Sequence, residues 1–94
     1  MPAYAIFMRE GAIVDQAAMD AYQAGNRSGA PADLKPLVVY GTIEALEGDA
    51  PEGIVILQFP DMAGAREWYH GDYFERAKLR QQAAPYRAFL VEGL

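Results

Sequence analysis

The run Ile54-Val55-Ile56-Leu57-Gln58-Phe59, followed at once by Pro60-Asp61, constrains this chain more than any other stretch. A short run that is apolar on both faces, rich in β-branched residues and stopped by proline reads as an interior strand. Beyond it Met62, Ala65, Trp68 and Tyr69 recur at helical spacing, on one face of a helix that Asp61 caps. Gly71 interrupts this helix and Asp72 is the candidate cap of a second segment. There Tyr73, Ala77, Arg80 and Ala84 continue one face until Pro85. A buried strand feeding a helix broken once implies a sheet layer packed on a helix layer.

The rest of the chain fits that frame. Residues 3–9 alternate, with Tyr4, Ile6 and Met8 toward one face and Ala3, Ala5 and Phe7 toward the other, which predicts a first strand. Asp15 is the expected cap of a helix that stops near Gly25, with Val14, Ala18, Ala21 and Tyr22 on its inner faces. Residues 27–36 have loop composition, with room for a single turn over Ala32–Leu34 after Pro31. Residues 37–46 read as a second strand in which Gly41 marks a bulge or a close backbone approach. Glu47 to Gly53 is turn chemistry. The strand over 54–59 pairs with the second as a hairpin and is expected to be central and covered on both faces. Residues 86–92 form the last strand.

The order β-α-β-β-α-β is the ferredoxin-like arrangement, an α+β fold with two helices on one face of a four-stranded antiparallel sheet. The 94 residues make one domain, 1–94, and hydrophobic residues are 52% of it. A domain this small buries only about two thirds of its unfolded surface. The helix-free face of the sheet remains apolar, and such a face marks an interaction surface. A second copy is its expected cover, giving a homodimer packed through the open sheet face.

Charge and composition narrow the function classes. Net charge is −5 and the eight basic residues are scattered, apart from Arg76, Lys78 and Arg80. Nucleic acid and anionic membrane surfaces call for a basic footprint, so neither is an expected partner. The absence of cysteine removes disulfides, thiol nucleophiles and thiolate metal sites. No run reaches the ~18 apolar residues of a membrane span, and Met1-Pro2-Ala3-Tyr4 lacks signal-peptide character, so a cytoplasmic protein is expected.

Four segments carry a family resemblance: Glu44-Ala45-Leu46-Glu47-Gly48, Ile54–Pro60, the set Ala65, Trp68-Tyr69, Tyr73 and Arg80, and Phe89-Leu90-Val91-Glu92-Gly93. With Tyr4, Asp15 and Tyr22 in the first third, the chain resembles the small bacterial proteins grouped as domain of unknown function 1330, within the dimeric α+β barrel superfamily. The resemblance implies the fold and a dimer. It differs from the family pattern at Gly71, where a nearby Ser is usual, at Tyr40-Gly41, where paired glycines are usual, and over 27–36, where helix often continues. The wider superfamily includes cofactor-independent monooxygenases, lactone isomerases and haem enzymes, so the fold does not fix the chemistry.

The residues that could carry chemistry are few. His70 is the only histidine and the candidate catalytic base, with Asp72 near enough in sequence to orient it; it is equally a helix-end residue facing solvent. Arg80 shares a helix face with Tyr73 and could hold a carboxylate or phosphate bidentately, or pair with Glu44, Glu47, Glu75 or a partner subunit. Tyr22, Tyr40, Tyr69 and Tyr73 are candidate ligand-binding side chains that converge with Trp68 between helices and sheet, where they could also be ordinary core. No metal ligand set, serine triad or phosphate loop is visible, and no cofactor is expected.

These residues support a homodimer that binds a small anionic or aromatic molecule in a cleft. Arg80 would anchor the anion and Tyr22 and Tyr73 would donate hydroxyls. If it is an enzyme, cofactor-free isomerisation or oxygenation with His70 as base is the expected class. The alternative is a non-enzymatic interaction or ligand-sensing module. A haem protein using His70 is a third reading, which predicts a Soret band on adding haem.

Overall fold

The computed structural model describes residues 1–26 and 31–94. Its elements are β1 (Ala3–Arg9), α1 (Gln16–Asn26), β2 (Lys35–Val39), β3 (Gly53–Phe59), α2 (Met62–His70), α3 (Phe74–Ala83) and β4 (Tyr86–Glu92). The strands form one antiparallel sheet in the order β2-β3-β1-β4. This is the expected α+β arrangement, with the second helix divided into α2 and α3.

Register places the sheet's two faces residue by residue. Ala3, Ala5 and Phe7 of β1 stand opposite Phe59, Leu57 and Val55 of β3, and on the other side opposite Glu92, Leu90 and Ala88 of β4. The helices cover this face. Ala3 and Ala5 are fully buried, and their small side chains leave depth for Phe59, Trp68 and Tyr73 above them. On the opposite face Val38, Ile56, Ile6 and Phe89 form a cross-strand row, flanked by Ile54, Met8, Tyr4 and Val91. Among the described residues no helix lies over that row, and its members are half-buried or exposed. β3 is thus central as expected, but no described residue supplies its expected cover on the second face.

The helix boundaries have local causes. Asp15 accepts a hydrogen bond from the Ala18 amide at 3.0 Å, the expected cap of α1. Asp61 is extended, and its Oδ1 accepts from the Gly64 amide at 2.7 Å. Gly71 is the C-cap of α2, its N–H bonded to the Glu67 carbonyl at 2.9 Å, and a Cβ there would fall 2.7 Å from that oxygen. Leu34 donates to the Pro31 carbonyl at 3.1 Å, closing the turn expected after Pro31. Residues 27–30 of the expected loop lie outside the described residues.

Two expectations are corrected. Asp72 does not cap α3: the N-cap is Tyr73, without a side-chain cap bond, and the chain enters α3 through Tyr73 N–H to Trp68 O at 2.9 Å and Phe74 N–H to Gly71 O at 3.1 Å. That tight turn takes up the Phe74 amide, one of the two that a carboxylate at Asp72 would cap. The second strand spans Lys35–Val39, not 37–46. Its partner β3 begins at Gly53, so pairing runs out after Tyr40 N–H bonds Ile54 O at 2.9 Å. Tyr40 then turns the chain away with φ of 53°, a left-handed conformation uncommon for a residue with a side chain.

Candidate functional site

The aromatic side chains singled out from sequence meet on the helix-covered side of the sheet. Tyr73 is at their centre and is only 1% exposed. Trp68 stacks on it with ring centroids 4.3 Å apart, Tyr22 meets it edge-on at 6.2 Å, and Phe7 packs at 5.8 Å. The Tyr73 and Tyr22 hydroxyls share a hydrogen bond of 2.5 Å.

Arg80 lies one face-repeat along α3 from Tyr73, and the two are joined as their spacing suggested. Its Nη1 donates to the Tyr73 hydroxyl at 3.0 Å and its Nη2 to the Tyr69 hydroxyl at 3.4 Å. The guanidinium sits over the rings of Phe7, Tyr86 and Tyr73 at 4.9, 5.3 and 5.7 Å. It is 2% exposed, and its Nε has no hydrogen-bond partner. None of the carboxylates considered for it is there: among the described residues the ion pairs are Lys78–Glu75 and Arg87–Glu10.

The phenols around Arg80 are neutral companions. Burial raises the Tyr22 hydroxyl far above its ordinary value, with the nearby Tyr73 adding to it. Burial also raises Tyr73, against the opposing pull of the Tyr22 hydrogen bond and of Arg80. Tyr86 is raised by burial and by its bond to Tyr40. These groups stay protonated near neutral pH, so Arg80 is a buried cation stabilised by hydrogen bonds and ring faces alone.

Two cavities flank this centre. One, a cleft of about 240 Å3, lies between the β2–β3 side of the sheet and α2–α3, walled by Leu34, Val55, Leu57 and Trp68. Its polar side chains are Tyr40, Tyr73 and Arg76. The other, of about 170 Å3, is lined by Phe7, Tyr69, His70, Ala88, Phe89 and Leu90. Arg80 lines neither; it bridges them, bonded to Tyr73 of the first and Tyr69 of the second.

The structure therefore gathers some of the sequence candidates and separates others. Tyr40 and Tyr73 share the cleft, and Tyr22 supports Tyr73 from α1. His70 is exposed at the end of α2, its ring edge-on to Tyr69 in the smaller cavity, and it makes no side-chain hydrogen bond to Asp72. Three contributors were not singled out from sequence. Arg76 is one helical turn before Arg80, and that i, i+4 spacing was its available signal. Tyr86 and Phe7 join only through tertiary packing. Tyr40 lies across Gly53, where a Cβ would fall 2.5 Å from its ring, and its hydroxyl meets that of Tyr86 at 2.7 Å.

A family model described as a domain of unknown function, DUF1330, matches residues 2–94. The chain belongs to that family. The match extends over the loosely similar first third as well as the segments from Glu44 onward, so this DUF1330 domain is the whole described fold. No curated protein matches the chain. Among the described residues of the DUF1330 domain, no three His, Cys, Asp or Glu side chains come together as metal ligands, and no helix is long and apolar enough to cross a membrane.

Proposed function

We propose that this DUF1330 protein is a homodimeric α+β barrel that binds a small anionic or aromatic molecule in the cleft between helices and sheet. The observation that carries the reading is a mostly apolar cleft with a guanidinium on its wall and a second, buried guanidinium behind Tyr73, neither paired with a carboxylate among the described residues. Leaving a charge in such surroundings costs several kcal/mol unless something compensates it. Sites kept at that cost are where ligands are expected. The dimer is supported by the apolar row Val38, Ile56, Ile6 and Phe89 on the uncovered sheet face of a slab 33 × 33 × 18 Å. The cysteine-free sequence supports the cytoplasm as its compartment.

Trp68, the single tryptophan, is 8% exposed and lines the cleft, so its emission reports occupancy. Titration with a panel of small neutral and anionic aromatics is expected to give a saturable change with at least one member. A panel that leaves Trp68 emission untouched overturns the reading.

Between catalysis and binding alone, the position of His70 favours binding. It is exposed, in the smaller cavity, with no side chain hydrogen-bonded to it. In the enzymatic reading, a cofactor-free isomerase or oxygenase, His70 is the base. Turnover lost in His70→Ala, against unchanged binding, would restore the enzymatic reading.

A further inference from the structure

Within the cleft the charge is concentrated on one side chain. Of the described residues lining it, Arg76 alone is charged. Its guanidinium lies 5.3 Å from the ring centroids of both Tyr22 and Tyr73, held against two aromatic faces. From the other side α1 closes on it: a Cβ at Gly25 would fall 3.0 Å from Arg76 Nε, a contact tight enough that the arginine would have to give way. That is the last turn of α1, where the helix dipole favours a cation. The side chain is thus fixed in place, yet it makes no hydrogen bond or ion pair with any described residue, and its Nε is shut from solvent without a partner.

We propose that Arg76 is the anion anchor of this cleft and that the ligand is a monocarboxylate with a slim apolar body. The inference rests on the reading of the cleft as a binding site and replaces Arg80 with Arg76 as the group that touches the ligand. Arg80 is the positioning residue, holding the Tyr73 hydroxyl by donation from Nη1. A planar guanidinium fork matches the two oxygens of a carboxylate. A phosphate monoester carries more charge and more acceptor atoms than one cation and neutral phenols satisfy. The size also selects. A dry cavity of about 150 Å3 takes a benzene ring, so the cleft, at about 240 Å3, takes a ring with a short acid-bearing arm. Leu34, Val55, Leu57 and Trp68 provide apolar contact for that body.

The test is titration of the full chain at low ionic strength with 3-phenylpropanoate and with its neutral isostere 3-phenylpropanamide, followed by Trp68 emission. The carboxylate is expected to bind at least about ten-fold more tightly than the amide, the size of effect a charge-assisted hydrogen bond supports. Arg76→Gln is expected to abolish the carboxylate's advantage over the amide, and a far-UV circular dichroism spectrum and melting curve like the parent's show that the variant is folded. Equal binding of acid and amide by the unaltered protein overturns the ligand class while leaving a binding cleft. A carboxylate preference that survives Arg76→Gln overturns the anchor. Silence of Trp68 toward both compounds overturns this inference, while the cleft reading stands or falls with the wider panel.

Discussion

Tyr73→Ala is expected to lower the melting temperature by more than about 15 °C, or to leave the chain unfolded at 37 °C. Tyr73 is the largest fully buried side chain, and its ring touches Trp68, Phe7, Tyr22 and Tyr69. Truncating a buried aromatic to alanine costs about 3–5 kcal/mol. Small domains have only about 5–15 kcal/mol in total, and each kcal/mol shifts the melting temperature by roughly 4–8 °C at this size. The loss extends beyond the cavity, because the Tyr22 hydroxyl and Arg80 Nη1 both lose their partner. Tyr73→Phe separates the two contributions. It keeps the ring and removes one hydroxyl, so a loss of about 1–2 kcal/mol is expected from the broken hydrogen bonds. Thermal unfolding followed by circular dichroism checks both. A Tyr73→Ala protein that melts within a few degrees of the unaltered one contradicts the central place given to this residue.

Ile56→Asp is expected to turn the proposed dimer into a monomer. Ile56 stands in the middle of the open face, opposite Ile6 on one side and Val38 on the other. In a single chain a carboxylate there reaches water across the half-buried face, so the monomer should fold at a loss of about 1 kcal/mol for aspartate in an interior strand. In a face-to-face dimer symmetry places two such charges in one apolar interface, each costing several kcal/mol when unpaired. The dissociation constant should rise by roughly a thousand-fold or more, since every 1.4 kcal/mol is a factor of about ten. Sedimentation equilibrium measures it. An Ile56→Asp protein that associates as strongly as the parent shows that copies do not meet through this face.

Much of the fold was legible because its signals are local. The alternation of Tyr4, Ile6 and Met8 against Ala3, Ala5 and Phe7 needs nothing but the two-residue period of a strand. Asp61 and Gly71 mark the start and break of the second helix through contacts with residues three or four positions away. The second strand was misread over 40–46 because its end is set by a distant fact, the start of β3 at Gly53, and by the turn at Tyr40. Asp72 does not serve as a cap because the turn puts the helix start at Tyr73 and gives the Phe74 amide to the Gly71 carbonyl.

The candidate site divides the same way. Tyr73 and Arg80 share a helix face, so their meeting followed from spacing. Tyr22 was visible as a hydroxyl in need of a partner, and finds one on α3. Arg76 was passed over because a charged residue on a polar helix ordinarily faces solvent; its approach to Gly25 and to two tyrosine rings exists only once α1 packs against α3. The placing of His70 and Tyr73 in different cavities, with the Tyr69 ring against both, likewise has no trace in a sequence where the residues lie three apart.

Native mass spectrometry of the protein as purified, at micromolar concentration, tests the proposed assembly and binding most directly. The expected result is a species of twice the 10.3 kDa chain mass, with a fraction carrying an additional small mass that is released on gentle activation. A bare monomer at the same concentration would contradict both the face-to-face dimer and the occupied cleft.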